Sequence, residues 1–208
     1  MTTPLGTVEV AERGERHVTL ARRTRETEVT VSLDLDGEGT TAIETGVGFY
    51  DHLLSSFGHH GLFDLEVRAK GDLEVDEHHT VEDVALVLGA AFAEALGDRS
   101  GIVRFGDATV PMDESLATAV VDIGGRPYAV VDLPFRGERV GALPLQLVEH
   151  AIEAFARTAG ATVHVRGSGR NDHHLAEAAF KALGRALRAA CEPDPRRRGV
   201  ASTKGSLG

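Results

Sequence analysis

The pattern His-His-x-x-Glu occurs twice in this chain of 208 residues, at His78-His79-Thr80-Val81-Glu82 and at His173-His174-Leu175-Ala176-Glu177. An acidic residue followed by a lone histidine precedes each copy, Asp51-His52 before the first and Glu149-His150 before the second. The separations from lone histidine to doublet are similar, 26 residues (52 to 78) and 23 residues (150 to 173). Six of the ten histidines and two glutamates thus fall into two matching sets. A chain that repeats a set of imidazole and carboxylate ligands is expected to repeat the scaffold beneath it. Two metal sites in a two-fold related arrangement follow.

The hydrophobic pattern agrees with a duplication. Residues 17–35 alternate, most clearly at Val29-Thr30-Val31-Ser32-Leu33-Asp34-Leu35, which reads as a strand. Asp36-Gly37-Glu38-Gly39 is a turn, residues 40–45 are extended, and 49–60 carry Phe49, Leu53, Leu54 and Phe57 at helical spacing, so His52 falls on a helix. Residues 62–70 alternate again, and 78–96 form an apolar helix stopped by Gly97. In the second half 117–123 and 127–133 are strand-like, 145–159 is a helix carrying His150 and ended by Gly160, and 161–166 is a strand. Asp172 is the expected N-cap of a last helix over 173–191. Helices cluster by half and do not alternate one-to-one with strands, so the expected class is α+β, internally duplicated, with a roughly four-stranded sheet packed on helices in each half. The expected divisions are an extension at 1–15 that reads as a short strand or a loose segment, half-domains at 16–100 and 101–192, and a basic, glycine-rich tail at 193–208 that reads as disordered alone unless a ligand orders it.

Helix geometry explains the doublets. Residues four apart share a face, while neighbours diverge by about 100°. His78 and Glu82 can therefore share one ion and His79 points elsewhere; His173 goes with Glu177 and His174 points away. Six histidines and two carboxylates over two ions give each four protein ligands. An octahedral ion then keeps about two open positions for chemistry. Ligation without thiolate suits Mn²⁺, Fe²⁺ or Zn²⁺. His17 and His164 lack this context and read as strand or surface residues.

Charge and cysteine usage limit the partners. A net charge of −10 argues against nucleic acid or an anionic membrane, and one cysteine, Cys191, fits a reducing cytoplasm. No apolar run approaches the length of a membrane helix, and the start does not read as a signal peptide, so a cytoplasmic protein is expected. In an acidic chain, basic residues near glycines are candidates for an anion clamp. Arg104 lies between Gly101 and Gly106, Arg126 follows Gly124-Gly125, Lys181 follows His173 by two turns, and Lys204 sits in Ser202-Thr203-Lys204-Gly205.

The segments Arg23-Thr24-Arg25-Glu26-Thr27, Asp51-His52-Leu53-Leu54, His60-Gly61-Leu62-Phe63-Asp64, Asp76-Glu77 with the first doublet, Arg104-Phe105-Gly106-Asp107, Gly125-Arg126-Pro127-Tyr128, Leu147-Val148-Glu149-His150 and Asp194-Pro195-Arg196-Arg197, read together, resemble the imidazoleglycerol-phosphate dehydratase family. The likeness runs over 16–205. It implies the sixth-stage dehydration of histidine biosynthesis, two Mn²⁺ per active site, and a homo-oligomer, a cage of about 24 subunits built from trimers with sites between protomers. The metal ligands implied are His52, His78, His79, Glu82, His150, His173, His174 and Glu177, the eight that spacing selects. Glu26 matches an acid/base glutamate, and His52, His79, Glu82, His174 and Glu177 join it in the implied catalytic set. Arg104, Arg126, Lys181, Ser202, Thr203 and Lys204 match phosphate or substrate contacts, as does His60, which the following glycine favours over His59. Thr203 stands where serine is frequent. No phosphatase domain precedes the match, so a monofunctional enzyme is expected.

The implied chemistry starts from a proton that is not acidic. An imidazole between two metal ions can become imidazolate and expel the adjacent hydroxyl, giving a diazafulvene-like intermediate. Carbon-proton removal then gives an enol that tautomerises to imidazole-acetol phosphate. Two other classes use similar residues. A ferritin-like storage bundle places glutamate before histidine and has no strands; a di-metal hydrolase of a phosphorylated small molecule would use the same ligands with Zn²⁺.

Overall fold

The structure, a computed structural model, describes residues 8–207. The first part of the expected extension, 1–7, and Gly208 lie outside the described residues. The first half runs β1 (Val8–Arg13), β2 (His17–Arg23), β3 (Thr27–Asp34), β4 (Thr41–Glu44), α1 (Gly48–Gly61), β5 (Asp64–Gly71) and α2 (His78–Leu96). The second runs β6 (Phe105–Met112), β7 (Ser115–Asp122), β8 (Tyr128–Asp132), a short hairpin of β9 (Arg139–Val140) and β10 (Leu143–Pro144), α3 (Gln146–Ala159), β11 (Thr162–Ser168) and α4 (Asp172–Cys191). Sheet one is ordered β1-β2-β3-β5-β4 and sheet two β6-β7-β11-β8.

Without the edge strand β1, the two sheets have one topology. In each, an antiparallel hairpin (β2-β3, β6-β7) pairs antiparallel with the strand that follows the half's first helix (β5, β11). That strand pairs parallel with the one preceding the helix (β4, β8). The α+β duplication expected from the doublets is therefore present strand for strand. Alternation drives it: Val29, Val31 and Leu33 of β3 and Ala117, Ala119 and Val121 of β7 are buried, while the residues between them face away from the helices.

Helices α1 and α2 pack on sheet one, and α3 and α4 on sheet two. The layers then meet crosswise, α1 against α4 and α2 against α3. Phe57, Phe92 and Phe155 from α1, α2 and α3 pack mutually with ring centroids 5.3 to 6.3 Å apart, so one apolar core serves both halves. Two glycines permit the close crossings. A Cβ on Gly184 of α4 would overlap the Phe57 carbonyl of α1, and one on Gly89 of α2 would overlap the Phe155 carbonyl of α3. Each lies eleven residues after the first histidine of its doublet (78 to 89, 173 to 184).

Some local expectations differ. The N-cap of α4 is Asn171, whose side chain accepts from the His173 and His174 amides; Asp172 instead accepts from Arg136 N and Gly137 N. Residues 105–112 form a strand, although Gly106 and Pro111 weaken that pattern in sequence. Among its described residues, 193–207, the tail contains no helix or regular strand, but it is held in place. Bridges join Ser100 to Val200 and Ile102 to Pro193, and Gly101 N donates to Gly199 O.

Candidate metal centres

Because the helix layers cross between halves, each lone histidine meets the other half's doublet. His52 Nε2 lies 2.8 Å from Glu177 Oε2, and His173 Nε2 lies 3.2 Å from the same oxygen. Opposite, His78 Nε2 is 4.0 Å and His150 Nε2 3.4 Å from the Glu82 carboxylate. Sequence grouping by half joins His52 to His78 and His150 to His173; the folded chain exchanges the lone histidines. Each trio, His52-His173-Glu177 and His78-Glu82-His150, has ligand atoms within 4.8 Å of one another, as one ion requires.

The donor chemistry fits a divalent cation. Nε2 of His150 is buried without a hydrogen-bond partner among the described residues and lies 3.4 Å from the Glu82 carboxylate, a position from which it can give its lone pair to an ion in the Nδ1–H tautomer. Burial pushes the Glu177 carboxyl up, but hydrogen bonds from Lys181 (2.6 Å) and His52 outweigh it and bring the group down to about 2. Glu82 also accepts from Arg157 at 3.0 Å. Both carboxylates are thus supported by a neighbouring cation.

The second histidine of each doublet turns away, as helical geometry requires. His79 Nδ1 donates to Asp72 (3.0 Å) and His174 Nδ1 to Glu114 (2.9 Å). The bond to Asp72 raises the basicity of His79, and the bond from His174 holds the Glu114 carboxyl far below the usual range. Asp72 and Glu114 escaped the sequence reading. Their signal is an acid near the end of a strand or in a hairpin turn, which many surface loops share.

The expected anion contacts gather elsewhere. Arg104, in left-handed backbone at φ 78°, donates from Nε (2.6 Å) and Nη2 (2.9 Å) to both oxygens of Asp122, and from Nη1 to Ala201 O. Arg126 is exposed, 3.8 Å from Asp122, and Ser202, Thr203 and Lys204 follow Ala201 at the surface. Arg104 N bonds Ala190 O near the end of α4, whereas His173 opens that helix. Seventeen helical steps lead from 173 to 190, a rise of about 25 Å. One chain therefore does not bring Arg104 to its own doublet. Lys181 instead pairs with Glu177 beside His52. His60 faces α4, its basicity lowered by burial and by the charges of Lys181 and Arg185, while His59 meets the Gly39 carbonyl at 3.2 Å. Glu26 is exposed in the β2–β3 turn, which the Thr24 hydroxyl holds by accepting from the amides of Glu26 and Thr27. His17 and His164 lie on β2 and β11, apart from both trios.

Residues 45–187 match the family model described as imidazoleglycerol-phosphate dehydratase. The chain is 56% identical over 186 residues to imidazoleglycerol-phosphate dehydratase of Methanoculleus marisnigri, covering 89% of this chain and 96% of that one. It is 52% identical over 192 residues to the protein of the same name from Methanocella arvoryzae, with 92% and 100% covered. Among solved structures, the fold is similar to imidazoleglycerol-phosphate dehydratase from Staphylococcus aureus (TM-score 0.76, 37% identity, 84% of this chain and 98% of that one). It is also similar to that from Pyrococcus furiosus (TM-score 0.78, 37% identity, 90% and 99%).

Proposed function

Given that this chain belongs to the imidazoleglycerol-phosphate dehydratase family, hydro-lyases of histidine biosynthesis, we propose that it dehydrates imidazoleglycerol phosphate with two Mn²⁺ ions held by the crossed trios. His52, His173 and Glu177 would hold one ion, and His78, Glu82 and His150 the other. His79 and His174, turned outward from the same helices, would complete the ion sites of neighbouring protomers. When bound, the metals supply Lewis-acid stabilisation of a deprotonated imidazole and a template for the substrate.

The chain's own residues then have separable tasks. His60 and Lys181, which stand near the Glu177 carboxylate, would contact the substrate beside one trio. Arg104, Arg126, Ser202, Thr203 and Lys204 would bind the phosphate through charge-assisted hydrogen bonds. Glu26 would carry the proton that moves as the substrate expels water. The separation of about 25 Å along α4 supports an active site shared between chains, because Arg104 then serves a neighbour's ions. A closed assembly of about 24 subunits, built from trimers, satisfies that requirement for every copy. No described helix is long and apolar enough to cross a membrane, and a cytoplasmic setting suits a metabolic enzyme with one buried thiol.

The convergence of His52 with His173 and Glu177, and of His150 with His78 and Glu82, carries the metal reading. The assay strips the protein with a chelator, restores Mn²⁺ or Zn²⁺, and offers imidazoleglycerol phosphate beside generic phosphoesters. Mn²⁺-dependent dehydration is expected. Zn²⁺-dependent phosphate release, with no dehydration, would favour the hydrolase reading.

A further inference from the structure

The two halves hold their outward histidines with carboxylates from different places in the repeat. Thr27 opens β3 as Ser115 opens β7, and both are buried, so Glu26 and Glu114 occupy equivalent places in the preceding turns. Thr27 pairs with Gly71 on β5, and Leu116 pairs with Ser168 on β11, which makes Gly71 the equivalent of Gly169 and Asp72 that of Arg170. In the first half Asp72 takes His79 Nδ1, and the Glu26 carboxylate reaches His79 only through its charge, with no hydrogen bond or ion pair to another described residue. In the second half an arginine stands at 170, and Glu114 takes His174 Nδ1.

We propose that Asp72 and Glu114 are positioning residues that fix the tautomer and aim of His79 and His174, and that Asp72 thereby leaves Glu26 uncommitted. The inference rests on the metal reading above. An ionised carboxylate only accepts, so each Nδ1 carries the hydrogen and each Nε2 presents its lone pair outward, as a metal ligand must. Glu114 is itself fixed for the task. Its Oε1 accepts from Arg170 N (3.1 Å), Asn171 N (2.8 Å) and Ser115 Oγ (3.0 Å), which aims Oε2 at His174. Asp72 follows the last residue of β5, six positions before the doublet, and reaches His79 with both oxygens, 3.0 and 3.2 Å away.

Glutamine at 114 separates positioning from support. Its carbonyl keeps the three bonds on Oε1, while its amide donates to Nδ1 and forces the hydrogen onto Nε2, the wrong tautomer for a ligand. The assembled enzyme, stripped and reloaded, is titrated with Mn²⁺ and followed by the electron paramagnetic resonance signal of the free ion. Glu114→Gln and Asp72→Asn should each weaken Mn²⁺ binding 10- to 100-fold, with the melting temperature of the metal-free chain unchanged. Wild-type affinity in both variants overturns the proposal. So does a lowered melting temperature with unaltered Mn²⁺ affinity, which would make Glu114 a loop strut. Should Glu114→Gln not fold, Asp72→Asn, in a separate loop, carries the same test. Failure of the wild-type enzyme to take up Mn²⁺ would instead fell the metal reading, and the positioning roles with it.

Discussion

His52 Nε2 lies 2.8 Å from Glu177 Oε2 across 125 residues of chain, from the first helix of one half to the second helix of the other. The contact exists because α1 crosses α4 and α3 crosses α2, which exchanges the lone histidines between the duplicated sets. A metal centre built this way belongs to neither half. Each ion would tie two halves together, so metal binding and the docking of the helix layers become one free-energy term.

Crossed ligation gives a pairing that grouping by half does not. His52→Ala and Glu177→Ala should empty the same ion site, and His150→Ala and Glu82→Ala the other. Anomalous scattering at the Mn edge on each variant reads the result directly. Loss of one ion by His52→Ala and Glu82→Ala together would restore the grouping by half and refute the crossing.

The glycines that allow the crossing should tie stability to metal binding. In Gly184→Ala the added methyl meets the Phe57 backbone carbonyl, which no rotamer can relieve. A loss of about 1–3 kcal/mol is expected from overpacking, together with weaker Mn²⁺ binding at the His52 trio as α1 moves off α4. Gly89→Ala should act equally on the His150 trio. Melting curves and Mn²⁺ titration of both variants test this; a Gly184→Ala protein with unchanged stability and affinity would show the crossing to be loose.

The doublets made the duplication legible, because a ligand set must be carried by matching helices. The fold class followed, since alternation in β3 and β7 and helical spacing in α1 are local. The crossing was not legible: which helix of the other half a given helix meets is decided by shape across the core. Its one trace in the sequence is a glycine eleven residues after each doublet begins. The β2–β3 turn was also hidden, because the Thr24 hydroxyl makes it without glycine or proline. Asp172 failed as N-cap because its carboxylate is engaged by the Arg136 and Gly137 amides, leaving the helix end to Asn171.

Arg104 should act on binding through its own geometry. Its fork on Asp122 and its bond to Ala201 O fix both the guanidinium and the tail that carries Ser202 and Lys204. Arg104→Ala should raise KM strongly, by on the order of 1.5–3 kcal/mol of lost charge-assisted contact. Asp122→Asn, which leaves the Arg104 charge in place but loosens its aim, should raise KM less. Both should retain Mn²⁺. An Arg104→Ala enzyme with wild-type KM would exclude it from the phosphate site.

Glu26 separates chemistry from binding. It lies in a turn whose backbone is secured by Thr24, so its carboxylate contributes nothing visible to the fold. Its repeat counterpart Glu114 is engaged by His174, whereas His79 already has Asp72. An acid whose charge reaches an outward histidine would be suited to move protons at an ion held by that histidine. Glu26→Gln removes the proton carrier and keeps the shape. Turnover should fall by about 10²-fold or more, while Mn²⁺ content and substrate binding measured by calorimetry stay at wild-type levels. A variant that turned over normally would return Glu26 to the surface, and one that lost Mn²⁺ would make it a ligand instead of an acid.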